Sequence, residues 1–209
     1  MLYTRTVEPR TFELLKKLMD LEVLKGFYLV GGTAIALQKG HRFSINLDLF
    51  TPYPFDNDQV IEKLIETFES FILKSEGKQM IFAEIEDVKV DLVKMNYPIL
   101  FETTLDENIR MLHINDMAPM KLKAIVQRGS KKDFFDIYYI LQDMSLSTLL
   151  ELYKSKFNQN EIFHVIKSLS YFEDAESDFN PIVYDPKIDW NTIKENLKIE
   201  LNRFTNLNP

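Results

Sequence analysis

Residues 79–85 and 88–95 are two strand-like runs, and only Glu86 and Asp87 separate them. Two such runs joined by a two-residue link read as an antiparallel β-hairpin. In the second run Val88, Val90 and Leu92 share one face, while Lys89, Asp91 and Val93 share the other. An aspartate in the middle of a strand is costly to bury without a partner. Either this face is open to water or Asp91 has a cation.

Other segments keep a helical or a strand period. Residues 8–25 carry Phe12, Leu14, Leu15, Leu18, Met19, Leu21 and Leu24 at near-helical spacing, with Gly26 as a stop. Phe27 to Val30 is a short buried strand ended by a tight Gly31-Gly32 turn, and residues 33–39 read as a helix that Thr33 can cap. Residues 46–50 alternate, with Leu47 and Leu49 facing one way and Asn46 and Asp48 the other. Residues 55–74 hold Val60, Leu64, Ile65, Phe68, Phe71 and Ile72 in helical register, and a short strand is expected at 110–114. Beyond 115 the pattern is helical, over 115–128, 131–143, 146–156, 160–169 and, after the Pro181/Pro186 loop, 189–203. Mixed elements followed by helices alone predict an α+β chain, with an α/β core over 1–114 and a helical region packed on it over 115–209.

Composition narrows the chemistry. Hydrophobic content is 45% and charged content 27% over 209 residues, as expected of a chain with a real core. The chain has no cysteine, which excludes disulfides and thiolate metal sites and fits a reducing compartment. His41, His113 and His164 share no metal-ligand spacing, so a histidine-rich zinc site is not expected. With no apolar signal core and no membrane-length apolar run, a soluble, cytoplasmic protein is expected. A net charge of −7 argues against nucleic-acid binding over the whole surface and requires a local basic patch for any polyanion.

Three features carry possible chemistry. Glycines at a strand–helix junction let a phosphate approach the backbone, and the helix start offers unpaired N–H groups. The same junction is also commonly just a turn. Asp48 and Asn46 project from one face of a strand, and Asp91 projects from a strand that can lie beside it. Carboxylates on adjacent strands suit Mg²⁺ bridging nucleotide phosphates. From Met120 to Leu141, Lys121, Lys123, Arg128, Lys131 and Lys132 precede the first acid, Asp133, which makes this the evident anion-binding segment. Ser130-x-x-Asp133 imitates a capping box, and Asp136 is placed for a salt bridge to Lys121 or Arg128. The aromatic stretch 134–139 reads as core, His41-Arg42 as a solvated loop pair, and Trp190 as packing for the last helix behind an Asp189 N-cap.

Three stretches together resemble the AbiEii/AbiGii-type nucleotidyltransferase toxins: "YLVGGTAIALQKGHRFSINLDLF", "VKVDLVKM" and "DMAPMKLKAIVQRGSKKDFFDIYYIL", in that order. "LSYFEDAESDFNP" is similar to the family's late helical segment. The resemblance implies a nucleotidyltransferase-like mixed sheet with helices, followed by a helical C-terminal half. It implies transfer of a nucleoside monophosphate from an NTP to an acceptor hydroxyl such as an RNA or tRNA 3′ end, with Mg²⁺ or Mn²⁺ as cofactor. It also implies a separately encoded antitoxin partner and no membrane. On this basis Gly31, Gly32, Thr33 and Ser44 hold phosphate, and Asn46, Asp48 and Asp91 are the metal positions. Lys121 meets the triphosphate, and Arg128, Asp133 and Asp136 match the later basic-acidic motif. Asp48, Asp91 and Lys121 are the catalytic candidates.

Asn46 departs from the family pattern, which has Asp. An amide oxygen still ligates a hard cation but brings no charge and cannot accept a proton. Loss of one charged ligand is expected to cost about 10²-fold in rate, on the scale of removing one electrostatic stabiliser. The competing readings are a nucleotide- or RNA-binding homologue that acts through a protein partner without catalysis, and a partner-binding module without nucleotide.

Overall fold

A computed structural model describes residues 1–207 of the chain, and within them seven strands form one mixed sheet. They are β1 (Tyr28–Val30), β2 (Leu47–Thr51), β3 (Phe71–Gly77), β4 (Met80–Ile85), β5 (Val88–Lys94), β6 (Thr104–Asp106) and β7 (Ile109–Met111). Their spatial order is β3-β4-β5-β2-β1-β7-β6. The chain divides into two compact units, Met1–His113, which holds every strand, and Ile114–Pro209, whose described elements are helices.

The hairpin forms where the two-residue link places it. β4 and β5 pair antiparallel, and Glu86 and Asp87 both take positive φ (50° and 63°). That backbone matches the right-handed twist of the flanking strands. A second hairpin, β6–β7, turns on Glu107 and Asn108 with the same handedness (φ 47° and 64°). One sheet face is apolar: Leu47, Leu49, Ile81, Ala83, Ile85, Val90 and Leu92 are all at most 1% exposed.

The helices of this unit are α1 (Pro9–Asp20), α2 (Gly31–Lys39) and α3 (Asn57–Thr67). The helix expected over 55–74 breaks after Thr67, because Phe68 turns to extended backbone and residues 71–77 become the edge strand β3. There the backbone groups pair with β4, and that pairing overrides a helical spacing of Phe68, Phe71 and Ile72. Asp56 starts α3, accepting from the N–H groups of Asp58 (2.9 Å) and Gln59 (3.3 Å). α2 starts at Gly31, two residues before the expected start, so Thr33 lies inside the first turn and caps nothing.

The second unit holds α4 (Ile114–Arg128), α5 (Lys131–Ile140), α6 (Leu146–Phe157), α7 (Phe163–Ser170), α8 (Glu173–Glu176) and α9 (Trp190–Leu207). Ile114, expected to end a strand, opens α4. Phe134, Phe135 and Ile137 of α5 are buried core, as their period required. Trp190 lies against Phe134, Phe135 and Phe172, at ring separations of 5.6, 6.2 and 5.7 Å, and joins α9 to α5. Asp189 caps α9 by accepting from Thr192 N–H at 2.8 Å. Among the described residues no helix is long and apolar enough to cross a membrane.

Candidate active site

Asp48 and Asp91 are direct partners across β2 and β5, which run parallel. Residues paired in register project to the same side of a sheet, about 4.8 Å apart along the hydrogen-bonding direction. The buried positions Leu47/Val90 and Leu49/Leu92 bracket them and point the other way. Both carboxylates therefore share the face opposite the core. Asn46 stands two residues before Asp48, just ahead of the strand and at the same parity.

The glycine turn meets this pair from β1, whose Val30 is paired with Asp48. Gly31 has φ +70°, and a Cβ on it would lie 2.3 Å from Asp48 Oδ2. Only glycine both adopts that backbone and lets the carboxylate come so close. A Cβ on Gly32 would fall 2.2 Å from Arg42 Nη2. His41 and Arg42, read from sequence as a solvated pair, are buried at 3% and 4% exposure, and Arg42 Nη1 donates to the Phe43 carbonyl at 3.1 Å. The glycine pair thus accommodates a carboxylate on one side and a guanidinium on the other.

Thr33 Oγ1 donates to the Asn46 carbonyl, so at 2.8 Å it accepts from the Ser44 hydroxyl. Both hydroxyl protons are engaged within the protein, and the chain ties the start of α2 to the lead-in of β2. This brace fixes the backbone of Asn46 relative to the glycine turn.

The residues present fit a divalent cation. Asp91 Oδ2 accepts from Lys89 Nζ at 2.9 Å, but Asp91 Oδ1 is buried with no hydrogen-bond partner. An orphaned carboxylate oxygen in a 13%-exposed side chain is a cost that a cation would offset. Among the described residues no group of three or more His, Asp or Glu has metal-holding geometry. A site here would therefore use two carboxylates with the Asn46 amide completing the oxygen set.

Lys121, Arg128, Asp133 and Asp136 are brought together within the helical unit. Lys121 Nζ lies 2.9 Å from Asp133 Oδ1 and 2.7 Å from Asp136 Oδ2, and both aspartates are fully buried. Arg128 Nε and Nη2 grip Asp133 at 2.8 and 3.0 Å. Burial pushes the Asp133 carboxyl up, yet the Lys121 charge and the Arg128 hydrogen bonds outweigh it and hold the group below the usual carboxylate range. Lys121, to which the resemblance assigns a triphosphate contact, lies in an ion cluster that ties α4 to α5. The Asp136 bridge to Lys121 is the one its spacing anticipated.

The capping box at Ser130 does not form. Asp133 is spent on the cations, and Ser130 makes no side-chain cap. Asp178 supplies the cap, accepting from Lys131 N–H and Ser130 Oγ, each at 2.9 Å. Those bonds, the Lys131 N–H first and the Ser130 hydroxyl second, hold its carboxyl below the usual range. Nothing local to 130–133 signalled a cap arriving from so far along the chain. A second buried pair, Lys156 with Asp116 at 2.5 Å, also went unread. Lys89 was visible on the Asp91 face, though not its ion pair.

Seven strands in this order, with two in-register aspartates beside a glycine-opened helix, define a nucleotidyltransferase-like fold. Solved structures share it. JHP933 from Helicobacter pylori matches with a TM-score of 0.58 and 17% identity, over 96% of this chain and 94% of that one. MenT4, a nucleotidyltransferase toxin from Mycobacterium tuberculosis, matches with a TM-score of 0.57 and 13% identity, over 96% and 88%. An uncharacterized protein of Aquifex aeolicus is 32% identical over 206 residues, covering 96% of this chain and 98% of that protein. The family model described as "Nucleotidyl transferase AbiEii toxin, Type IV TA system" matches residues 13–206. The chain belongs to that family of nucleotidyltransferases.

Proposed function

We propose that this chain is a Mg²⁺- or Mn²⁺-dependent transferase that moves a nucleoside monophosphate from an NTP to the 3′ hydroxyl of an RNA acceptor, with tRNA the first candidate. The observation that carries the reading is the in-register pair Asp48↔Asp91 beside Gly31. Asp48, Asp91 and the Asn46 amide oxygen would hold the cation. When bound, a divalent ion supplies charge for the phosphoryl oxygens and makes the attacking hydroxyl more acidic.

In the transfer the acceptor oxygen bonds to the α-phosphorus, the α–β bridging bond breaks, and pyrophosphate leaves. The carboxylate pair supplies the base that takes the hydroxyl proton. The N–H groups at the start of α2 face a polyphosphate with the positive end of the helix dipole. Asn46 lowers the carboxylate charge from three to two and weakens the reaction. A separately encoded antitoxin fits a family defined by a type IV toxin–antitoxin system. A cytoplasmic setting accords with a chain that has no cysteine.

The test is labelled NTP with Mg²⁺ and total tRNA, for the chain as it stands and for Asn46→Asp. Label should enter tRNA faintly with the first and about 10²-fold faster with the second. Transfer by neither form would remove the proposal. Asn46 also favours a second reading, a nucleotide-binding homologue that acts through a protein partner. That reading requires NTP binding in both forms with turnover in neither.

A further inference from the structure

We infer that Lys89 is a positioning residue of the carboxylate pair: its ammonium is the resident counter-ion of Asp91 and competes with a divalent cation for Oδ2. The inference rests on the reading of Asp48 and Asp91 as the metal-holding pair.

Lys89 and Asp91 are two residues apart on β5, so both side chains emerge on the carboxylate face. Across the sheet, Lys89 stands directly opposite Glu84 of β4, an acid that would ordinarily be its partner. Glu84 is taken by Lys74 of β3 at 3.1 Å. Lys89 turns along its own strand instead, and its Nζ settles 2.9 Å from Asp91 Oδ2. The Lys74–Glu84 pair of β3 and β4 thus leaves the Lys89 ammonium to the site.

The two ends of this pair are unlike. Asp91 is 13% exposed and Lys89 is 58% exposed. A half-solvated lysine gives up such a contact at small cost, because water replaces the carboxylate and the stem regains rotamer freedom. The ammonium holds Oδ2, the more accessible oxygen of Asp91, while Oδ1 is buried without a partner, so a cation that engages the carboxylate must share or displace the Lys89 contact. Such a counter-ion keeps Asp91 oriented before metal arrives, and it lowers affinity for metal alone. The displaced ammonium remains on the face where a triphosphate would bring compensating negative charge.

The experiment is Mn²⁺ titration of the full chain without nucleotide, with free Mn²⁺ read by electron paramagnetic resonance. Wild type is compared with Lys89→Met, Lys89→Gln, Lys89→Arg and Asp91→Asn, each checked for native circular dichroism. Removing the competitor should tighten Mn²⁺ binding roughly two- to five-fold in Lys89→Met and Lys89→Gln, the range of a partly exposed ion pair. Lys89→Arg should stay at the wild-type value, and Asp91→Asn should weaken binding at least about ten-fold. Unchanged or weaker binding in both Lys89→Met and Lys89→Gln, with Asp91→Asn still impaired, overturns the inference and spares the metal site. Wild type that binds no Mn²⁺, or Asp91→Asn that binds like wild type, removes the metal-site reading and this inference with it.

Discussion

Lys121→Met separates a ligand contact from a fold contact. Methionine keeps most of the stem and removes the charge, so packing changes little. In the native protein the ammonium, 6% exposed, lies between two fully buried carboxylates at 2.9 and 2.7 Å. Breaking a buried ion pair by removing one partner costs about 3–5 kcal/mol. Arg128 still holds Asp133 through two nitrogens, which puts the expected loss at the lower end, about 3 kcal/mol. Trp190 is the only tryptophan and packs on α5, so its fluorescence reports the helical unit. With a urea slope of about 2 kcal/mol/M, the midpoint should fall by roughly 1.5 M. The Asp133 carboxyl is depressed in the folded protein, so its contribution is complete above the ordinary carboxylate range and is lost as pH falls through the folded value. Removing Lys121 takes away the larger of the depressing charges, so Trp190-monitored acid unfolding should begin at higher pH in the variant. A stability within about 0.5 kcal/mol of wild type, ordinary for a neutral surface change, together with weakened NTP binding would refute this reasoning. Lys121 would then serve the ligand.

Gly31→Ala should cost about 1–2 kcal/mol for the left-handed backbone alone, and its Cβ would displace the Asp48 carboxylate. Urea stability and Mn²⁺ affinity should therefore fall together, whereas Gly32→Ala, which meets only the tip of Arg42, should cost less stability. Asp178→Ala removes the cap of α5 and should lower Trp190-monitored stability by about 0.5–2 kcal/mol. Ser130→Ala should cost less, because the Lys131 N–H keeps its acceptor.

What sequence could show was set by how local the cause was. The β4–β5 hairpin was legible because two residues join two strand-like runs, and the helices beyond residue 114 were legible because their apolar faces repeat every third or fourth position. β3 was not. It is an edge strand exposed along most of its length, so no period-two burial marks it, while Phe68, Phe71 and Ile72 happen to match a helix. The start of α2 was hidden for a related reason, since a glycine pair reads as a turn and here opens the helix. In the site, Asp48 and Asp91 could be assigned to one face each from parity. The pairing of those faces depends on β2 running parallel to β5, which no local signal encodes. The Asp178 cap and the Lys74–Glu84 pair that redirects Lys89 are tertiary facts of the same kind.

The core, more than the site, decides where the carboxylates stand. Leu47 and Leu49 are paired with Val90 and Leu92, and all four are at most 1% exposed. A one-residue slip of β2 against its own pleat would turn its side chains over. Two leucines would then face outward, at about 1.5–3 kcal/mol each, and Asp48 would enter the apolar layer, where an unpaired carboxylate costs several kcal/mol more. The register that puts Asp48 beside Asp91 is therefore enforced by burial on the opposite face, without help from Asn46, Lys89 or a cation. Asn46→Asp enters a geometry that already exists. It changes charge and proton-accepting capacity while leaving the strand alignment alone, so any gain in transfer can be assigned to chemistry at that one position.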